Sequence, residues 1–442
     1  MADHARSDDP DVQRQLDRLW ALGPGTDVLG LERITALLDR LGNPERRLPP
    51  VFHVAGTNGK GSTCAFLRAA IEAAGLSAHV YTSPHLVRFN ERIRIAGELI
   101  DDDELAALLA EVIDAADGIG ASFFEVTTAA ALLAFARAPA NAAIIEVGLG
   151  GRLDATNVVL SPVSTGIAQL GLDHQAFLGH RIDGIAAEKA GIAKPGAPLV
   201  TLRYSEAVAK RIATVAAEAG AKWLPRGGRW DADVSGGKLH YRDDFGDLHL
   251  PLPRLPGAHQ ASNAALAVAM LRYQHAVAVP ESALKAAMGW ADWPARLQKL
   301  TPGPLANLLP RGSELWLDGG HNPAAARAVA DHFRAHVPAG RPFHMIFGLL
   351  ANKDAPGVLK PFAGRAMTLH TIPVPGHEHH APADLAARGR EAGMAAMAHA
   401  DPTAALGWIA RHADRDHPPI ILIMGSLYLA GEILAANGQA PG

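Results

Sequence analysis

Residues 51–63 read Val51-Phe-His-Val-Ala-Gly-Thr-Asn-Gly-Lys-Gly-Ser-Thr63. The first four are a short β-branched and aromatic run. Gly56, Gly59 and Gly61 then turn the chain around Lys60, and a helix-like run follows from 62 to about 74, ended by Gly75. Strand, glycine loop, helix is the layout of a phosphate cradle: backbone N–H groups point at the anion, the helix start adds partial positive charge, and the lysine reaches the outer phosphates. The spacing departs from G-x-x-x-x-G-K-[ST]. Gly61 stands where the hydroxyl residue belongs, Ser62 comes one place later, and Gly56 comes two places after Val54, where the first glycine should fall. The plain alternative is a tight turn with a surface lysine; the strand-to-helix context favours a nucleotide.

Outward from this loop, strand-like and helix-like runs alternate. Strands are expected over 78–82, 142–147, 163–170 and 198–202, with helices over 123–138, 183–190, 205–219 and 258–273 between or after them. Amphipathic helices over 11–22 and 31–41 precede the loop, and Asp101 to Asp103 can cap a helix to about 116. Residues 238–242 and 247–252 suggest a hairpin. The stretch 290–304, with two Trp, three Pro and little periodicity, marks a domain boundary. A second series follows, with strands at 314–318, 343–348, 366–373 and 419–424 and helices at 324–336, 355–362, 382–392, 402–413 and 427–437. Alternation of this kind predicts an α/β chain: an N-terminal P-loop-type domain on a mostly parallel sheet, residues 1–295, and a smaller C-terminal α/β, Rossmann-like domain, residues 296–442.

The 442 residues carry a formal net charge of −4, which leaves no global basic footprint for nucleic acid. The longest apolar run, 418–430, is broken by Gly425 and Ser426 and is too short to span a bilayer. The polar N-terminus lacks a signal-peptide core. Cys64 is the lone cysteine, so no disulfide forms within the chain and a reducing, cytoplasmic setting is expected; it reads as a small buried residue rather than a nucleophile.

Ligands of open parallel sheets sit at the carboxyl ends of the strands. Four expected strand ends here carry polar groups: Gly56 to Ser62, Ser83, Glu146, and Asp173-His174. A carboxylate and an imidazole beside a phosphate loop suggest Mg²⁺ bridging nucleotide oxygens. Glu146 follows Ala142-Ala-Ile-Ile145, where burial without a partner is costly; the alternative is a strand-end carboxylate reaching water. His174 alone reads equally well as a loop residue. Lys189 follows Glu188 on a helix, and the plain reading is a solvated ion pair. In Asp318-Gly-Gly-His-Asn-Pro323, Asp318 could bind ribose or adenine and His321 could face phosphates, or Asn322-Pro323 could simply cap a helix. Arg88, Arg92 and Arg94 could attract an anion or be ordinary surface charge. His377-Glu-His-His380 reads as an exposed loop.

Taken together, residues 55–62, 81–92, 146–157, 172–174, 188–192 and 318–323 resemble, in order, the motifs of the folylpolyglutamate synthase/dihydrofolate synthase family of the Mur ligase superfamily. The resemblance spans residues 29–437. It implies an ATP-dependent amide ligase that phosphorylates a carboxylate and lets the amino group of L-glutamate displace phosphate. The acceptors are dihydropteroate and folates; the narrower alternative is polyglutamylation of folates alone. By motif position, Thr57, Asn58, Gly59, Lys60, Gly61 and Ser62 cradle ATP in a cleft between the domains, and Ser83, Glu146 and His174 hold two Mg²⁺ ions. Lys189 matches a lysine the family carries as a carbamate. Asn263, Arg296 and Asp318 match ATP contacts, with His321 near them. The pterin positions match Ser122, Phe123, Phe124, Glu125, Leu153, Asp154 and Ala155 and the loop around Asp27. A monomer without nucleic-acid or membrane partners is implied. Three departures stand out: Ala295 replaces the usual glycine before Arg296, Gly320 replaces a common alanine, and Asp27-Val-Leu-Gly30 has an unfamiliar order. A nucleotide switch without ligation leaves Asp318 and His321 unexplained, and Thr82-Ser-Pro-His-Leu86 and Leu153-Asp-Ala-Thr156 disfavour a peptidoglycan-precursor ligase.

Overall fold

The computed structural model describes residues 6–22, 29–338, 340–364 and 367–442. Asp27 and Val28, expected near the pterin, lie outside the described residues. The chain divides into two compact units: Met1–Arg254 with Gln260–Asp292, and Leu255–His259 with Trp293–Gly442.

In the first unit, the main sheet contains β1 (Val51–Ala55), β2 (Ala78–Tyr81), β3 (Ile93–Ile95), β4 (Glu98–Leu99), β5 (Ala142–Glu146), β6 (Ser164–Ile167), β7 (Pro198–Thr201) and β8 (Lys222–Pro225). Their order is β4-β3-β2-β5-β1-β6-β7-β8, parallel except at the β2-β3-β4 edge. β1, β2, β5, β6 and β7 are buried along their whole length. That is why they read as continuous apolar runs, as strands covered on both faces do. On one face the Ala- and Leu-rich helix Phe123–Arg137 packs with Pro10–Ala21 and Glu32–Arg40; the other holds Ala186, Ile192, Leu199, Val208 and Ile212. β1 lies between β5 and β6, with Val54 beside Glu146 and Ala55 beside Ile167. The loops leaving β1, β5 and β6 therefore emerge side by side, where the direction of strand addition reverses.

The expected hairpin is present and gains a third strand: β9 (Trp230–Ser235), β10 (Lys238–Asp243) and β11 (Gly246–Pro251) form an antiparallel sheet. Helix Glu281–Trp290 occupies a stretch given no element from sequence; its buried residues, Ala283, Leu284, Ala287 and Met288, do recur at helical spacing.

The second unit holds β12 (Gln298–Lys299), β13 (Glu314–Asp318), β14 (Phe343–Phe347), β15 (Met367–Thr371), β16 (Ala395–Ala398) and β17 (Ile420–Met424), in the order β12-β13-β17-β14-β15-β16. Only the β12 edge pairing is antiparallel among the described strands. β16 had no sequence expectation, because Ala-Ala-Met-Ala carries helix propensity and only edge pairing to β15 makes it a strand.

Helix His259–Arg272 packs closely on the first sheet at Gly166: a Cβ there would sit 2.3 Å from Met270 Sδ. Gly166→Val should therefore lower stability by roughly 1–3 kcal/mol through overpacking, read as a lower urea midpoint with unchanged slope; an unchanged midpoint would refute the close packing.

Candidate active site

The glycine loop lies at the carboxyl end of β1. Helix Lys60–Ala73 starts two residues before its expected first residue, at the lysine itself, and no side chain caps it. Its first turn thus offers N–H groups to an anion. Gly59 holds φ +83°, and a Cβ there would lie 2.4 Å from Asn263 Oδ1. The glycine is required both for the left-handed turn and for the approach of Asn263, which is buried and donates to Gln260 Oε1 at 3.0 Å. Thr57 is spoken for structurally: its hydroxyl lies 3.0 Å from Gly171 O and 3.1 Å from Gly171 N, and its N–H donates to Gln169 O. It ties the loop to the segment after β6. Ser62 and Gly61 are buried within the helix.

Glu146 ends β5 at only 5 % exposure, and its carboxylate faces Lys60 Nζ at 3.8 Å. The partner that its burial demanded is thus the loop lysine. Lys189 also sits at 5 % exposure. Its expected ion pair with Glu188 is not formed: Glu188 turns instead to Arg152, 2.9 Å away. Burial, aided by the charge of Lys60 and opposed by Asp173 and Asp154, pushes the Lys189 ammonium down to about 7. Ser83 follows β2 and precedes Pro84 through a cis peptide; it and His174 are half-buried, the latter at φ +50°. Among the described residues no three His, Cys, Asp or Glu side chains form a metal cage. The donors available are a hydroxyl, one buried carboxylate and an imidazole. That set fits a hard divalent cation completing its shell with phosphate oxygens and water.

The neighbouring loops are held by carboxylates. Glu91 accepts the N–H groups of Leu86, Val87 and Arg88 at 2.8, 2.9 and 2.8 Å, fixing the segment after Ser83-Pro84-His85. Arg92, read from sequence as possible surface charge, is 2 % exposed; its Nε donates to His85 Nδ1 at 3.0 Å and its guanidinium lies over Phe89 and Phe123. Arg88 is exposed and Arg94 half-buried.

Of the expected pterin positions, Ser122 and Glu125 form a capping box: Ser122 N donates to Glu125 Oε2 at 2.7 Å and Glu125 N to Ser122 Oγ at 3.3 Å. Arg33 Nε adds an ion pair to Glu125 at 3.0 Å. Phe123 meets Trp20 at 5.2 Å between centroids, and the Phe124 ring lies against Gly148. Asp154 is buried and accepts from Leu149 N at 2.8 Å and Thr156 Oγ1 at 2.5 Å, bracing the loop that carries Leu153 and Ala155. Burial raises its carboxyl, partly offset by these donors.

In the second unit, Asp318 ends β13 and accepts from Leu297 N at 2.8 Å and Gly320 N at 2.7 Å. Arg296 is flanked by Ala295 at φ +54° and Leu297 at φ +47°, and its Nη1 donates to Ala295 O at 2.8 Å. The left-handed turn that glycine favours is thus kept by alanine. His321 Nδ1 lies 2.9 Å from Gly319 O. Asn322 caps helix Pro323–His336. The histidines of residues 377–380 are spent locally: His377 stacks on Tyr428, and His380 Nε2 bonds Lys353 O.

Comparison with known proteins bears on this constellation. A family model described as "Mur ligase, glutamate ligase domain" matches residues 308–427. The dihydrofolate synthase/folylpolyglutamate synthase of Escherichia coli K12 is 38 % identical over 345 residues, covering 78 % of this chain and 77 % of that protein. The chain belongs to this family. The crystal structure of E. coli FolC in complex with DHPP and ADP superposes with a TM-score of 0.85 at 33 % identity, covering 96 % of this chain and 97 % of that one. The Yersinia pestis folylpolyglutamate synthase/dihydrofolate synthase with AMPPNP and Mn gives 0.84 at 32 % identity, covering 96 % and 97 %. As a member of the family, the chain is an ATP-dependent ligase that attaches glutamate to folate-type acceptors. No described helix is long and apolar enough to cross a membrane.

The Lys189 burial has a pH signature. The unfolded chain's lysine holds its proton to about 10.5 and the folded one to about 7. Between those values the unfolded state binds more protons, so stability rises with pH there and the full burial cost stands below pH 7. Lys189→Met, in CO₂-free buffer, should therefore gain stability over the parent most at pH 6 and progressively less toward pH 10. A pH-independent difference in urea midpoint would contradict the depressed lysine.

Proposed function

We propose that this ligase acts on two acceptors, joining L-glutamate to dihydropteroate and to folates that already carry glutamate, and that it works as a monomer in the cytoplasm. The observation that carries the reading is half-buried Lys60, paired with buried Glu146 and acting on buried Lys189, at an uncapped helix start at the carboxyl end of the sheet. The N–H groups of residues 59–62 and Lys60 bind the ATP phosphates. The acceptor carboxylate attacks the γ-phosphorus and ADP leaves. The glutamate amine then attacks the acyl phosphate, losing a proton, and phosphate departs. Positive charge from Lys60 and the helix start stabilises both charge-rich transition states.

Ser83, Glu146 and His174 would hold divalent cations, which screen phosphate charge when bound. Lys189, whose ammonium gives up its proton around pH 7, offers the free lone pair that addition to CO₂ requires; the resulting carbamate would give a second anion near Lys60. Asn263, already against Gly59, contacts the nucleotide in the first unit; in the second unit Arg296, Asp318 and His321 are the candidate nucleotide contacts, with Asp318 fixing the Arg296 turn through Leu297. Phe123, Phe124, Leu153 and Ala155 supply the apolar surface for the pterin ring, while Ser122, Glu125 and Asp154 hold that surface in place. DHPP in the E. coli relative supports the dihydropteroate arm.

The test measures phosphate release and amide product with ATP, glutamate and either dihydropteroate or tetrahydrofolate. Both acceptors should turn over, and Lys60→Ala should abolish both. Turnover of tetrahydrofolate alone would reduce the enzyme to polyglutamylation; near-normal rates in Lys60→Ala would remove the glycine loop from phosphate binding.

A further inference from the structure

His53 lies mid-strand in β1 with no exposed surface, and no reading of the sequence gives it a role. Its Nε2 is 2.8 Å from Thr156 Oγ1, which is itself 2.5 Å from Asp154 Oδ1. All three side chains are buried. The proton order in this chain follows from the donors around Asp154. The N–H groups of Leu149 and Thr156 donate to its two oxygens, and that of Gly148 points there too. These N–H donors favour the ionised form, and the Thr156 hydroxyl donates to Oδ1, so Asp154 acts here as a carboxylate. The Thr156 oxygen must then receive its own hydrogen bond from His53 Nε2–H. The tautomer is fixed, and Nδ1, which has no partner among the described residues, carries only a lone pair. Burial pushes the imidazolium down to about 3, so the ring stays neutral at working pH.

What this chain supports is the loop of residues 148–157. That loop is pressed on the Lys189 helix: Arg152 N donates to Glu188 O at 2.8 Å, and a Cβ on Gly151 would lie 2.6 Å from Glu188 O and 3.0 Å from Lys189 Cα. We propose that His53 is a positioning residue for glutamate ligation: its Nε2–H aims the Thr156 hydroxyl at Asp154, and the relay holds the 148–157 loop in register for the acceptor and for Lys189. The role rests on the proposed placement of the acceptor against this loop.

Two variant pairs test it. His53→Leu and Thr156→Val remove the relay; His53→Gln and Thr156→Ser keep a donor and a hydroxyl in place. The first pair should raise the acceptor KM roughly tenfold, the scale of one lost hydrogen bond in a buried charged chain, with the KM for ATP unchanged; the second pair should recover most of the loss. Parent-like acceptor KM in the first pair, or losses that the conservative pair does not recover, would overturn the role. Should the first pair fail to fold, imidazole ¹⁵N shifts of histidine-labelled parent protein decide: Nε2–H at His53 supports the relay, and Nδ1–H overturns it. That measurement needs no turnover, so an inactive parent would refute the proposed reaction while leaving the relay separately tested.

Discussion

A buried lysine, Lys189, and a half-buried one, Lys60, stand close enough at one end of a parallel sheet to repel each other, and three carboxylates, Glu146, Asp154 and Asp173, share their surroundings. Lys60 faces Glu146 at 3.8 Å. Lys189 resolves the conflict by giving up its proton near neutrality, since burial and the Lys60 charge both disfavour the ammonium. A buried neutral amine beside a charged lysine and a buried carboxylate is costly for a fold that uses none of them. It is what an ATP-dependent ligase needs: fixed positive charge for phosphates, and an anionic group that can be built where a cation would otherwise stand.

The backbone makes this crowding possible. β1, β5 and β6 are neighbours, so the glycine loop, Glu146 and the segment after β6 leave the sheet together. Gly59 lets Asn263 come within contact of the loop, and Gly151 lets the 148–157 loop rest on the Lys189 helix. Glu91, Glu125 and Asp154 each accept backbone N–H groups of their own segments. The reactive groups are therefore held by a surrounding set of satisfied carboxylates, so geometry is set before any substrate arrives.

The fold was largely legible in the sequence because both sheets are covered on both faces: β5 and β17 read as Ala-Ala-Ile-Ile and Ile-Ile-Leu-Ile-Met and could be little else. The glycine loop was legible for a different reason, since three glycines around one lysine between strand and helix serve few other ends. What could not be read was partnership. Glu188 beside Lys189 suggested an exposed pair, yet Arg152, 36 residues earlier, takes the carboxylate. Arg92 looked like surface charge because nothing local shows that His85, Phe89 and Phe123 close over it. Ser122-Phe-Phe-Glu125 did carry a readable local signal, the S-x-x-E capping box, beneath its family meaning. Helix Glu281–Trp290 was obscured by the Gly289-Trp290 pair at its end.

The central claim is that this site activates a carboxylate by phosphorylation. The most direct measurement supplies dihydropteroate labelled with ¹⁸O in its carboxylate, together with ATP and glutamate, and follows the label by mass spectrometry of the released phosphate. The account predicts one carboxylate oxygen in phosphate for each amide formed. Amide formation with no ¹⁸O in phosphate would contradict it.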